Sequence, residues 1–167
     1  MKIVVNGIEV IFKKSPARIE DSQIWDATIF YDQHELDFEF EERLILSNNP
    51  EKNGIDEKLV KDIVKHVLDN LAEIQLKGPA VLAELHKQVF NEEDLVRKKG
   101  YFKAGGIELK EVRYLPGTFS AFPPYFEYDV YYFLESEENF LMDEYHSYYG
   151  HFSNHNRLTM IGVSRIG

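Results

Sequence analysis

Asp143, Glu144, His146, His151 and His155 place three imidazoles and two carboxylates within thirteen residues. Neutral imidazole with carboxylate is a donor set for zinc, iron or manganese, and an ion held there would support metal-assisted hydrolysis. A helix would bring His151 and His155 to one face, yet the same stretch carries Gly150, Ser153, Asn154 and Asn156, which belong to turns. No His-Glu-x-x-His spacing is present. The segment therefore reads as a polar loop after an aromatic strand, with the metal site as the alternative.

A second group could act through charge. Glu35, Asp37, Glu39 and Glu41 alternate with Leu36, Phe38 and Phe40. Successive residues on one face of a strand lie about 6.6–7 Å apart, so the four carboxylates form an acidic rail. Paired carboxylates can do acid–base work on a sugar, but one of them must then sit in an apolar pocket, and nothing in this pattern supplies one. The rail reads as a solvated face or as a surface for a basic partner.

Aromatic side chains form the third group, crowded between Tyr114 and Phe133. Phe119, Phe122 and Tyr125 lie in a proline-stiffened stretch where burial is hard. Such amphipathic rings favour interfaces, so together with the rail they are the expected partner-binding residues. No Walker loop, dinucleotide fingerprint or Gly-x-Ser-x-Gly elbow is present. Neither Ser120 nor Ser147 has a His and an Asp at a spacing that would make it a nucleophile. No catalytic residue and no cofactor is assigned.

These residues need elements to position them. Asn6-Gly7 predicts a hairpin over Met1–Lys14 with Val5 opposite Ile8, Ile3 opposite Val10 and Met1 opposite Phe12. A second hairpin over Gln23–Glu42, centred on Asp32-Gln33, pairs Tyr31 with His34, Ile29 with Leu36, Ala27 with Phe38 and Trp25 with Phe40. From Ile55 the period becomes helical, with Leu59, Val60, Ile63, Val64, Val67, Leu68, Leu71 and Ile74 on one stripe. Asp56 caps its start, and Lys77-Gly78 suits its end. Pro79 then opens a second helix, and Glu92–Lys99 forms a short third piece. Strands return at Ile107–Tyr114, Phe126–Glu135, Phe140–Tyr148 and Leu158–Ile166, with Gly105-Gly106 as a turn or bulge. The expected fold is a single α+β domain over residues 1–167, its antiparallel β-sheet strands in two runs flanking a central pair of helices.

The chain has 167 residues, 29 acidic against 19 Lys and Arg, and a formal charge of −10. Residues 1–54 hold 11 acidic and 6 basic side chains and residues 100–167 hold 9 and 5, so the two ends carry nearly all the excess. Such a charge repels phosphate and acidic lipid, which argues against direct nucleic-acid binding and against a membrane surface. The absence of cysteine excludes disulfides, thiol catalysis and Cys-ligated metal. Without a secretory leader or a long apolar run, the chain reads as cytoplasmic. Its oligomeric state is not legible.

Trp25-Asp26-Ala27-Thr28-Ile29, Leu36-Asp37-Phe38-Glu39-Phe40-Glu41, the helix Leu59–Ile74, Tyr128-Asp129-Val130-Tyr131-Tyr132-Phe133 and Leu158-Thr159-Met160-Ile161-Gly162-Val163 follow one another in an order that carries a likeness. This layout resembles small uncharacterised bacterial domain families of the kind encoded beside secreted toxins as immunity proteins. The resemblance implies a binding role and carries over no site residue. The expectation is a non-enzymatic, acidic cytoplasmic binding protein that engages a basic protein partner. The alternatives are a metal-assisted hydrolase using the 143–155 segment and an acidic nucleic-acid mimic.

Overall fold

The computed structural model describes residues 1–16, 23–48, 54–89, 100–114, 124–136 and 146–167. Strands β1 (Lys2–Val5) and β2 (Ile8–Ile11) form the first hairpin in the expected register, Ile3 opposite Val10 and Val5 opposite Ile8. Met1 and Phe12 exchange main-chain hydrogen bonds of 2.9 Å beyond it. Asn6 and Gly7 both take positive φ, 50° and 80°, the conformation that lets a two-residue turn match the twist of its strands. The hairpin is a small sheet of its own. After Phe12 the chain enters β3 (Lys13–Pro16), which pairs with the next hairpin instead.

That second hairpin, β4 (Gln23–Tyr31) and β5 (His34–Glu41), also has the expected register throughout. Its turn is costlier. Asp32 and Gln33 hold φ of 45° and 66°, a left-handed backbone that residues with a Cβ adopt at a cost of roughly 1–2 kcal/mol each.

Helices α1 (Glu57–Asp69) and α2 (Leu71–Val89) follow. The Asp56 side chain accepts from the Leu59 N–H at 3.1 Å and so caps α1. The break between helices falls at Asn70 rather than at Gly78-Pro79. Asn70 is buried, and its amide donates to the His66 carbonyl at 2.7 Å, closing α1 from within. Pro79 lies inside α2. Gly78 leaves room for a tyrosine: the Tyr132 hydroxyl would sit 2.1 Å from a Cβ there, and it donates to the Ile74 carbonyl at 3.0 Å. The expected piece Glu92–Lys99 lies outside the described residues.

Among the described residues four further strands follow: β6 (Tyr101–Arg113), β7 (Tyr125–Glu135), β8 (Ser147–Ser153) and β9 (Thr159–Ile166). The expected fold class requires correction here. The two runs of strands do not flank the helices but join edge to edge in a single seven-stranded mixed sheet, ordered β3-β4-β5-β6-β7-β8-β9. Among the described residues its one parallel pair is β5 with β6, Phe38 opposite Ile107. Strand accounts for 55% of the described residues, against two helices, so the protein is mostly β rather than an even α+β mixture. The physical reason is the connection between β5 and β6. Antiparallel neighbours need only a short turn, whereas a helical crossover can return the chain to the same end and add a strand in parallel.

The helices and the first hairpin cover one face of the sheet. Leu36, Phe38, Phe40, Ile107, Tyr128, Val130, Tyr132, Tyr148 and Phe152 line it, all at most 1% exposed. Phe12 of the hairpin stacks on Phe40 at 5.3 Å and meets Phe38 edge-on at 6.5 Å. Two buried tyrosines find hydroxyl partners on the helices, Tyr128 on His66 at 3.1 Å and Tyr148 on His86 at 3.3 Å. Gln75 of α2 grips β6, donating to the Phe102 carbonyl at 2.5 Å and accepting from the Ala104 N–H at 2.8 Å. No helix among the described residues is long and apolar enough to cross a membrane.

Candidate functional site

Side chains alternate across a sheet, so burying one face commits every second residue to the other. Among the described residues no helix packs on that second face, and its chemistry follows from register. Lys13, Asp26, Glu39, Glu108, Asp129, His151 and Gly162 are paired in succession from β3 to β9. Neighbouring strands are about 4.8 Å apart, so four carboxylates on four adjacent strands make one acidic row. The expected rail, Glu35, Asp37, Glu39 and Glu41, runs along β5 and crosses that row at Glu39. Glu35, Asp37 and Glu39 are exposed and Glu41 half-buried.

Like charges this close need relief, and most of these find it. Ser15 donates to Asp26 at 2.5 Å, and Thr28 donates to Asp37 at 2.6 Å. Arg43 pairs with Glu41 at 2.5 Å. Lys110, displaced by a bulge in β6, reaches Glu108 at 2.5 Å and Asp129 at 3.6 Å. Burial alone would weaken the Lys110 charge, but those two carboxylates outweigh it and hold its pKa above the usual lysine range. At the edge of the rail, hydrogen bonds from Lys14 and Trp25 hold Glu42 below the ordinary carboxylate range. Among the described residues the carboxylates of Glu35 and Glu39 have no partner. Acidic Glu111, Glu127 and Glu135 join the same face, against Lys103 and Arg113.

Aromatic rings share it. Tyr131 meets Phe133 edge-on at 4.7 Å and Tyr149 at 5.5 Å. Phe133 packs against Gly105, where a Cβ would come within 2.0 Å of its ring, so the Gly105-Gly106 bulge seats this cluster. Tyr125 opens β7 opposite Arg113, whose guanidinium lies 5.7 Å from the ring centre, and its hydroxyl bonds Glu127. Of the expected contact residues, the rail and Tyr125 therefore share the bare face. Phe119 and Phe122 lie outside the described residues.

The His-rich segment resolves differently from the expectation of a loop. His151 is in the middle of β8, while His146 precedes that strand and His155 sits in the turn after it. No three His, Asp or Glu side chains among the described residues converge on a point that would hold a metal ion, and Asp143 and Glu144 lie outside them. His151 instead ends the acidic row. Its Nδ1 is 2.6 Å from Asp129 Oδ1, and its Nε2 is 3.0 Å from Ser164 Oγ. Sequence reasoning missed this contact. Its three residues come from three strands, and the signal that could find it is the pairing of β7 with β8, which sets Asp129 opposite His151.

No protein-family model, curated protein or solved structure matches the chain.

Proposed function

We propose that the protein is a cytoplasmic binding protein whose bare sheet face docks a basic protein partner. One observation carries this reading: Asp26, Glu39, Glu108 and Asp129 stand in register across four strands, on the face that the helices leave open, where the rail crosses them. A β-sheet holds such a row rigid, so a partner's lysines and arginines meet carboxylates already in place. The unpartnered Glu35 and Glu39 are the charges that such a partner would neutralise. Long-range attraction would speed encounter and weaken with salt, while the rings of Tyr131, Phe133 and Tyr149 would set the lifetime of the complex. A basic protein toxin is the concrete form of partner that the layout resemblance to immunity proteins suggests.

The test is affinity capture from a lysate of the native host on wild-type chain and on the Glu39→Lys/Glu108→Lys variant, at low and high salt. The expected result is one basic protein, near stoichiometric on wild type, weakened by salt and lost on the variant. Equal capture by both chains, or nothing specific on either, would refute the reading.

A further inference from the structure

We infer that Ser164 is an activated nucleophile, with His151 as its general base and Asp129 as the group that orients the imidazole. This goes beyond the docking role and uses a different property of the same face. Asp129 can only accept, so the short contact at Oδ1 fixes the Nδ1–H tautomer of His151. That leaves the Nε2 lone pair facing Ser164 Oγ at 3.0 Å, where the hydroxyl donates to it. The order carboxylate, imidazole, hydroxyl is the geometry by which a serine is recognised as a nucleophile on unrelated folds. Exposure is graded along it: the Asp129 side chain is 14% exposed and that of His151 33%. Lys110 holds the second oxygen of Asp129 at 3.6 Å, so both carboxylate oxygens are committed and the imidazole has one orientation.

The surroundings leave room for a reacting group. Gly162 lies opposite His151 and puts no side chain against the imidazole, and even a Cβ there would stay 4.0 Å from the ring. On the other side Tyr149 stands directly opposite Ser164 and carries Tyr131 behind it, an aromatic wall for a flat substrate group. β9 is the last strand of the sheet among the described residues. Glu108 and Asp129 repel anions, so the substrate class is a neutral or cationic ester with an aromatic or apolar group. Ser164 Oγ bonds to the acyl carbon, its proton passes to His151 Nε2, and the ester C–O bond breaks as that proton reaches the leaving alcohol. Water then releases the acid by the same steps in reverse.

A biotinylated fluorophosphonate tests this on the full chain, since it needs only the nucleophile and its base. The Oγ–P bond forms, fluoride leaves, and the proton goes through His151 to solvent. The expected result is one adduct, mapped to Ser164 by mass spectrometry and absent in Ser164→Ala. Removing a general base costs roughly 100-fold or more, so His151→Gln and Asp129→Asn should label at least about 100-fold more slowly while circular dichroism stays native. Three outcomes would overturn the assignment: no adduct on folded wild type, equal rates in His151→Gln, or labelling spread evenly over Ser147 and Ser164.

Discussion

Lowering the pH from 7 to 5 asks half-buried His66 to take up a proton at the margin of the core. The imidazole of α1 meets the ring of Phe126 at 5.2 Å and that of Tyr128 at 5.6 Å, both edge-on. Its Nε2 faces the Tyr128 hydroxyl at 3.1 Å. Burial raises the Tyr128 pKa far above its ordinary value, so that hydroxyl is a donor and the histidine must accept, which only the neutral form can do at Nε2. Burial pushes the His66 pKa down from 6.5 to about 4, opposed weakly by Asp69. The unfolded chain therefore binds the proton more readily than the folded one. Stability from this group is complete above about pH 6.5, falls as pH drops towards about 4, and changes no further below. Integrated between pH 7 and 5, those two values correspond to about 2 kcal/mol, nearer 1 kcal/mol once the partial exposure of the ring is allowed for. Urea unfolding of wild type and His66→Gln at both pH values isolates the effect, because the glutamine keeps an acceptor and cannot titrate. Wild type should lose about 1–2 kcal/mol more than the variant on going to pH 5. Equal losses in the two chains would refute the account, since the acid sensitivity would then belong to other groups.

Two further outcomes test the packing. Gly78→Ala should destabilise the protein by about 1–3 kcal/mol in urea unfolding, although alanine is the better helix former by about 1 kcal/mol, because the new Cβ meets the Tyr132 hydroxyl and ring. An unchanged or raised midpoint would show that Tyr132 can move aside without cost. Gln33→Gly should raise stability by about 0.5–1 kcal/mol, a Tm increase of about 1–4 °C, by relieving the left-handed backbone of the β4–β5 turn. A lower Tm would mean that the glycine's extra freedom in the unfolded chain outweighs the strain.

Much of the chain is legible without its tertiary structure. Both hairpin registers, the N-cap at Asp56, the apolar stripe of α1 and the bulge at Gly105-Gly106 depend on residues within a few positions of one another. A two-residue turn leaves the strands one register, and alternation then decides which side chains share a face. The acidic rail is such a case: its exposure follows from Leu36, Phe38 and Phe40 being buried. The helix break is a near miss for a physical reason. Gly78-Pro79 carries the stronger local punctuation, yet Asn70 ends α1 because its side chain bonds back to His66 and lies buried.

The sequence by itself determined which residues alternate, which face each strand must bury and how much negative charge the other face inherits. Only the tertiary structure decided that β6 lies parallel beside β5, which makes one sheet of two and aligns Glu39 with Glu108. It also decided that Asp129, His151 and Ser164 meet, across the β7–β8 and β8–β9 pairings and a register shift in the second. Register between strands joined by long connections is chosen by the fit of the whole buried face, and a slip of one residue would turn each of these side chains into the core.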